Sequence, residues 1–185
     1  NNTGSRGNGL EEHATASVIV DHLAPMLRAQ GHDVTVIDYP YMDNGGDLAA
    51  TVRAINAGNY DISISVHCDS SDSPSSRGAH VCHHRTYHDD GTCTDSVQGK
   101  DLAEAIAGPL CKLLPGRADH VQARPDRSCT PPKSSLYVLR KTNPPAVLVE
   151  CGFISNAGDT DLMKNNPAAI ARAITWGVNT YTQRK

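Results

Sequence analysis

The stretch Ala146-Val147-Leu148-Val149-Glu150-Cys151-Gly152-Phe153 decides the fold. Its first four residues form an unbroken apolar run, which is typical of a strand buried on both faces, as in a parallel sheet. Strand patterns and helix patterns alternate through the rest of the chain. We expect strands at 33–37, 62–66 and 78–83, and helices at 11–30, 48–58, 102–113 (interrupted at Gly108-Pro109) and 167–181. The sequence therefore predicts one α/β domain over residues 1–185, a three-layer sandwich with a mostly parallel central sheet flanked by helices.

The composition excludes several classes of protein. The 185 residues carry a formal net charge of −3, whereas nucleic-acid-binding proteins usually have a basic excess. No apolar stretch is long enough to span a membrane. The six cysteines are widely spaced without a CxxC pair, which rules out the usual structural zinc ribbon. We expect a monomer that binds no nucleic acid and has no membrane span.

Three polar residues stand where the active site of such a sheet is expected. Functional residues gather beyond the carboxyl ends of the strands, and His67 and Glu150 each follow a predicted strand directly. Glu12 lies at the start of the first helix, where an acidic residue also complements the helix dipole without any further role. His67 is equally compatible with a structural role, but a carboxylate after four apolar residues is costly to bury unless it is paired or used. One histidine and two glutamates are the parts of a hydrolytic zinc site, in which one carboxylate stays unligated and moves protons.

Four segments, taken together, resemble a known enzyme family. They are Gly9-Leu10-Glu11-Glu12, Ser65-Val66-His67-Cys68-Asp69, Leu139-Arg140, and the run from Ala146 that continues through Phe153-Ile154-Ser155-Asn156. In this order they are similar to the zinc-dependent N-acetylmuramoyl-L-alanine amidases of bacterial cell-wall enzymes (autolysins) and phage endolysins. The resemblance implies that Glu12 and His67 bind Zn²⁺ and that Glu150 is the catalytic carboxylate. It also implies that peptidoglycan is the substrate and that the enzyme acts outside the cytoplasm, at the cell wall.

The chain departs from that family in two places. The family's first zinc ligand is a His in a G-H-G segment that ends the first strand, and we expect this ligand, and that strand, upstream of Asn1. His13 is a poor substitute for it, because consecutive helical side chains point about 100° apart. The family's S-x-H-x-N reads S-V-H-C-D here, so Asp69 places a charge where the family has a neutral amide. We assign Asp69 and Arg140 as candidate substrate-binding residues, Arg140 through a bidentate contact with a stem-peptide carboxylate.

Several alternatives remain open from the sequence alone. His80, His83, His84 and His88 form a second histidine cluster, which we expect to line the groove or face solvent rather than bind a second metal. Cys68 and Cys151 are expected to be small buried apolar residues, although a thiol nucleophile beside His67 is a distinct hypothesis. The rival functions are a zinc peptidase that cuts within the stem peptide and a non-catalytic peptidoglycan-binding domain. The sequence does not distinguish an autolysin from a phage lysin.

Overall fold

A computed structural model of the chain describes residues 3–39, 44–134 and 136–184. The strands, in chain order, are β1 (Arg6–Gly7), β2 (Leu10–Glu11), β3 (Ser63–Asp69), β4 (His80–His83), β5 (Arg85–Tyr87), β6 (Cys93–Asp95), β7 (Val121–Gln122), β8 (Pro125–Asp126), β9 (Lys133–Ser134) and β10 (Ala146–Phe153). The helices are α1 (Glu12–Ala29), α2 (Asn44–Ala57), α3 (Val97–Leu113), α4 (Tyr137–Lys141), α5 (Ala157–Asn165) and α6 (Pro167–Thr182). Among these helices, none has the length and apolar character needed to cross a membrane.

The central sheet has four strands in the order β3-β10-β4-β7. β10 pairs parallel with β3 and antiparallel with β4, and β4 pairs parallel with β7. All eight residues of β10 are buried, as the unbroken apolar run predicted. The mostly parallel sheet with flanking helices is therefore confirmed, and its longest strand is the one that carries Glu150.

Successive residues of β10 pack on opposite faces of the sheet, which creates two apolar layers. Val147 and Val149 belong to a large core cluster that includes Ile106 of α3 and Ile174 of α6. Leu148 belongs to a smaller cluster built mainly with residues of α2 and α4, namely Ile55, Val138 and Leu139. Helices thus cover both faces, and Glu150 has the same parity along the strand as Leu148.

Two expected local structures were wrong. Residues 33–37 form no strand, because β-branched residues favour a strand only where a neighbouring strand pairs with them, and none of the described strands does. Helix α3 runs through Gly108 and Pro109 without interruption. The proline removes one helical hydrogen bond, but Ile106 and Leu110 on either side of it are completely buried, and their packing keeps the helix intact.

The end of β10 is fixed by a buried carboxylate of α5. Oδ2 of Asp159 accepts hydrogen bonds from the backbone N–H of Phe153 and of Gly78, both at 2.8 Å. Gly152 has a φ of 98°, and a Cβ at this position would lie 2.9 Å from the same oxygen. The sequence therefore needs glycine here, two residues beyond Glu150, to end the strand in this conformation.

Candidate active site

Glu12 and His67 form a close pair at the carboxyl end of β3. Nδ1 of His67 donates to Oε1 of Glu12 at 2.9 Å, while the other carboxylate oxygen accepts from the backbone N–H of Ser5 at 2.9 Å. Burial raises the pKa of Glu12, but the hydrogen bonds from His67 and Ser5 outweigh it and hold that pKa below its usual value. Burial lowers the pKa of His67, but Glu12 and the charge of Glu150 outweigh it and raise that pKa. Oε1 of Glu12 and Nδ1 of His67 therefore face each other directly.

Glu150 lies beside this pair, in the middle of the sheet. Its backbone is in register with His67 on β3 and with His80 on β4, so the three side chains form a row on one face. The residue is 6% exposed, and Nη1 of Arg124 donates to its Oε1 at 3.1 Å. Burial raises the pKa of Glu150 to about 7, although the positive charges of His67 and Arg124 oppose the increase. A carboxyl group with this pKa can both accept and release a proton near neutral pH.

His80 lies on the other side of Glu150, on β4, and its ring approaches Asp69 of β3. Nε2 of His80 is 3.8 Å from Oδ2 of Asp69, and Nη1 of Arg117 is 4.0 Å from the same oxygen. Burial and the charges of Arg117 and Arg124 lower the pKa of His80 to about 3, which keeps its ring neutral. One ligand atom each from Asp69, His80 and Glu150 lies within 4.8 Å of the others, a grouping that could hold a metal ion.

The structure brings together four of the five side chains that the sequence singled out. Glu12, His67 and Asp69 lie at the end of β3, and Glu150 lies beside them within β10. His67 and Glu150 were expected directly after their strands, but both lie inside them. Arg140 is exposed on α4, with its guanidinium 5.5 Å from the centre of the Tyr137 ring. No hydrogen bond or ion pair between described residues links Arg140 to the other four side chains.

Sequence reasoning missed Arg124 and misjudged His80. Arg124 lies in the irregular region between α3 and α4, where no periodicity indicates which residue reaches Glu150. His80 and His83 are 1% and 2% exposed, so the expectation that the histidine cluster faces solvent is wrong for these two. Only the register of β4 against β10 places His80 beside Glu150, and the sequence does not determine that register.

The two cysteines that follow site residues lie in the apolar core. Cys68 and Cys151 are 2% and 0% exposed and belong to the cluster packed against α1, α3 and α6. Burial raises the pKa of both thiols far above the ordinary value. Buried, protonated thiols are poor nucleophiles, so this placement agrees with the interpretation as small apolar residues.

Comparisons with known proteins identify the class to which this fold and site belong. A family model described as N-acetylmuramoyl-L-alanine amidase matches residues 1–180, and the chain therefore belongs to that family. The N-acetylmuramoyl-L-alanine amidase LytC of Bacillus subtilis (strain 168) is 28% identical over 166 residues, which cover 88% of this chain and 29% of the relative. The chain thus spans less than a third of that relative.

Solved structures agree with the family. The catalytic domain of an endolysin targeting Clostridia Difficile is 25% identical, with a TM-score of 0.77 over 96% of this chain and 88% of that one. The N-acetylmuramyl-L-alanine amidase Ami1 from Mycobacterium smegmatis has a TM-score of 0.79 at 21% identity, over 98% of this chain and 82% of that one. At this identity the second comparison bears on the fold alone. The α/β fold of this chain is therefore the fold of the amidase catalytic domains to which it was compared.

Proposed function

We propose that residues 1–185 form one catalytic domain that hydrolyses the amide bond between the lactyl group of N-acetylmuramic acid and L-alanine, with Zn²⁺ as cofactor. Family membership supports the activity. The observation that carries the mechanism is Glu150, a buried carboxyl group with a pKa raised to about 7, in register with His67 of the Glu12–His67 pair. Such a group is suited to general acid–base catalysis at neutral pH.

Glu12 and His67 fit a zinc ion as ligands. Zinc binds imidazole nitrogen and carboxylate oxygen, and the two side chains already face each other through one ring nitrogen and one oxygen, 2.9 Å apart. Their shared proton is the one that a metal ion would replace. Nε2 of the neighbouring His13 lies 3.1 Å from Oδ2 of Asp38 instead. A bound zinc ion would act as a Lewis acid toward the lactyl carbonyl and the attacking water.

Glu150 would move the protons of the reaction. It accepts a proton from the attacking water and later delivers that proton to the nitrogen of the departing L-alanine. Arg124 occupies Oε1, which leaves Oε2 as the oxygen that exchanges the proton. The hydrogen bond from Arg124 positions the carboxylate of Glu150. The positive charge of Arg124 favours the ionised form and keeps enough of Glu150 deprotonated near pH 7.

The substrate sets the place of action. Peptidoglycan lies outside the cytoplasmic membrane, so we place the enzyme at the cell wall. Asp69, beside the catalytic row, and Arg140, on the exposed surface of α4, are the candidate contacts with the stem peptide. A charged Arg140 would suit a peptide carboxylate.

Mass spectrometry of the products from purified peptidoglycan tests this function. We expect stem peptides with a free L-alanine amino terminus, whose release stops with a chelator and resumes when zinc is added. Glu150→Gln should retain the zinc ion held by Glu12 and His67 and lose nearly all turnover, whereas Glu12→Gln should lose that ion as well. Glu104→Gln, at an exposed position of α3, is the matched control and should behave like the wild type.

Three other outcomes would contradict the proposal. Cuts inside the stem peptide would make the protein a peptidase. Tight binding to peptidoglycan without any product would make it a binding domain. Full activity of Glu150→Gln would remove the assigned base, whatever the bond cleaved.

A further inference from the structure

Asp69, His80 and Glu150 form a second group of possible metal ligands that the proposed reaction does not use as such. Their ligand atoms lie within 4.8 Å of one another, and Nε2 of His80 is 3.8 Å from Oδ2 of Asp69. Two ligands of one tetrahedral zinc ion, each about 2.1 Å from it, are about 3.4 Å apart. The three side chains therefore need to move inward by only a fraction of an ångström each.

Two atoms of this cluster lack a partner. Oε2 of Glu150 and Nδ1 of His80 are buried and make no hydrogen bond with the described part of the chain. The Glu150 side chain is 7% exposed and the His80 side chain is 1% exposed. Leaving a buried carboxylate oxygen unsatisfied is costly, so Oε2 of Glu150 indicates a ligand or an ordered water. Nε2 is the nitrogen of His80 that faces Asp69, and it is the one that would bind the ion.

We propose that Asp69, His80 and Glu150 bind a second divalent ion, Zn²⁺, and that this ion inhibits the hydrolase by occupying the carboxylate of Glu150. One imidazole and two carboxylates form a donor set that suits zinc. The inhibitory part rests on the proposed function, since a general base that ligates a metal can no longer accept a proton from water. The binding part does not depend on the reaction. It also revises the expectation that this histidine cluster binds no metal.

Neighbouring charges make this second site the weaker of the two. Arg124 already holds Oε1 of Glu150, and Arg117 lies 4.0 Å from Asp69, so a divalent ion meets two positive charges. The Glu12–His67 pair has the backbone N–H of Ser5 as a further contact and no arginine among its hydrogen-bond partners in the described residues. Zinc should therefore fill the first site at low concentration and the second only at higher concentration. Activity should rise and then fall as zinc is added.

Zinc binding to the full-length protein is the direct test. At high zinc concentration, equilibrium dialysis should find one more bound zinc ion per chain in the wild type than in His80→Phe or Asp69→Asn. Phenylalanine keeps the aromatic volume beside Phe153 without a ligand atom, and asparagine keeps the shape of Asp69 without its charge. Glu12→Gln should still bind the second ion. His22→Asn, at an exposed position, controls for zinc held by surface histidines.

The activity arm compares low with high zinc. At a zinc concentration ten times the Kd of the second site, the activity of the wild type should fall about tenfold, since only about a tenth of the molecules keep a free Glu150. The same ratio should be near one in His80→Phe and Asp69→Asn.

The proposal is overturned by equal zinc stoichiometry in the wild type and both variants, or by high-zinc inhibition that persists in them. If the wild type shows no amidase activity at any zinc concentration, the proposed function has failed, and the zinc stoichiometry still decides the metal site.

Discussion

Replacing Arg124 with methionine should move the pH dependence of the reaction toward alkaline pH. The guanidinium donates to Oε1 of Glu150 at 3.1 Å, and its side chain is 40% exposed while that of Glu150 is 7% exposed. Two unit charges about 4 Å apart interact by about 4 kcal/mol at an effective dielectric constant of about 20. Because solvent screens the exposed guanidinium, we take about 1.4 kcal/mol of this, which corresponds to a tenfold change in the protonation equilibrium.

The expected loss of activity therefore depends on pH. With the pKa of Glu150 at about 7, half of the wild-type molecules carry the active carboxylate at that pH. A tenfold shift leaves about a tenth of the Arg124→Met molecules active, so kcat/KM should fall about fivefold at pH 7 and recover at pH 9. The acid limb of the kcat/KM profile, measured on soluble muropeptides, should move by about one pH unit. Arg172→Met, at an exposed position of α6, is the control and should leave the profile unchanged.

An acid limb that stays in place, or a loss of activity that is the same at every pH, would refute this role of Arg124. The first result would mean that Arg124 does not bias the protonation of Glu150. The second would mean that Arg124 contributes through packing or substrate contact instead.

Three more outcomes follow from the structure. Gly152→Ala should lower the free energy of unfolding, measured by urea titration, by about 1–3 kcal/mol. Alanine is strained at a φ of 98°, and its Cβ would meet Asp159. An unfolding midpoint equal to that of the wild type would contradict this. Iodoacetamide should modify the exposed Cys93 without loss of activity, as intact-mass and activity measurements on one sample will show; inactivation that tracks a core thiol would favour the nucleophile hypothesis. Burial raises the pKa of Glu150 from 4.5 to about 7, so its contribution to stability is present below pH 4.5 and is lost as pH rises toward 7, by up to about 3 kcal/mol. In metal-free samples, Glu150→Gln should remove this pH dependence from urea unfolding curves, and an unchanged dependence would assign it to another group.

The sequence predicted the parts of the fold that depend on local patterns. The apolar run at Ala146 identified the buried central strand, and helical periodicity located α1, α3 and α6 to within a few residues, apart from the first turn of α3. The strand predicted at 33–37 was wrong for a physical reason. Its β-branched residues have a high strand propensity, but a strand forms only where a second strand hydrogen-bonds to it. The residues of the segment do not determine whether such a partner is present.

The sequence predicted only part of the candidate site, for a related reason. Glu150 and His67 are adjacent to strand patterns, so the rule on strand ends finds them. His80 and Arg124 reach Glu150 through the register of β4 and through a loop, respectively. Both contacts join residues far apart in the chain, and no periodicity of either segment encodes them.

The register of β10 ties the stability of the core to the chemistry of the site. Alternation along the strand sends Val147 and Val149 into the large helical core and turns Glu150 toward the other face, between two strands that carry histidines. A slip of one residue would reverse every side chain and bury the carboxylate among apolar residues, at a cost of several kcal/mol. The same burial, in the correct register, excludes enough water to raise the pKa of Glu150 to about 7. The packing that selects the register therefore also produces the acid–base group, and a substitution that loosens β10 should lower the catalytic pH optimum before it unfolds the protein.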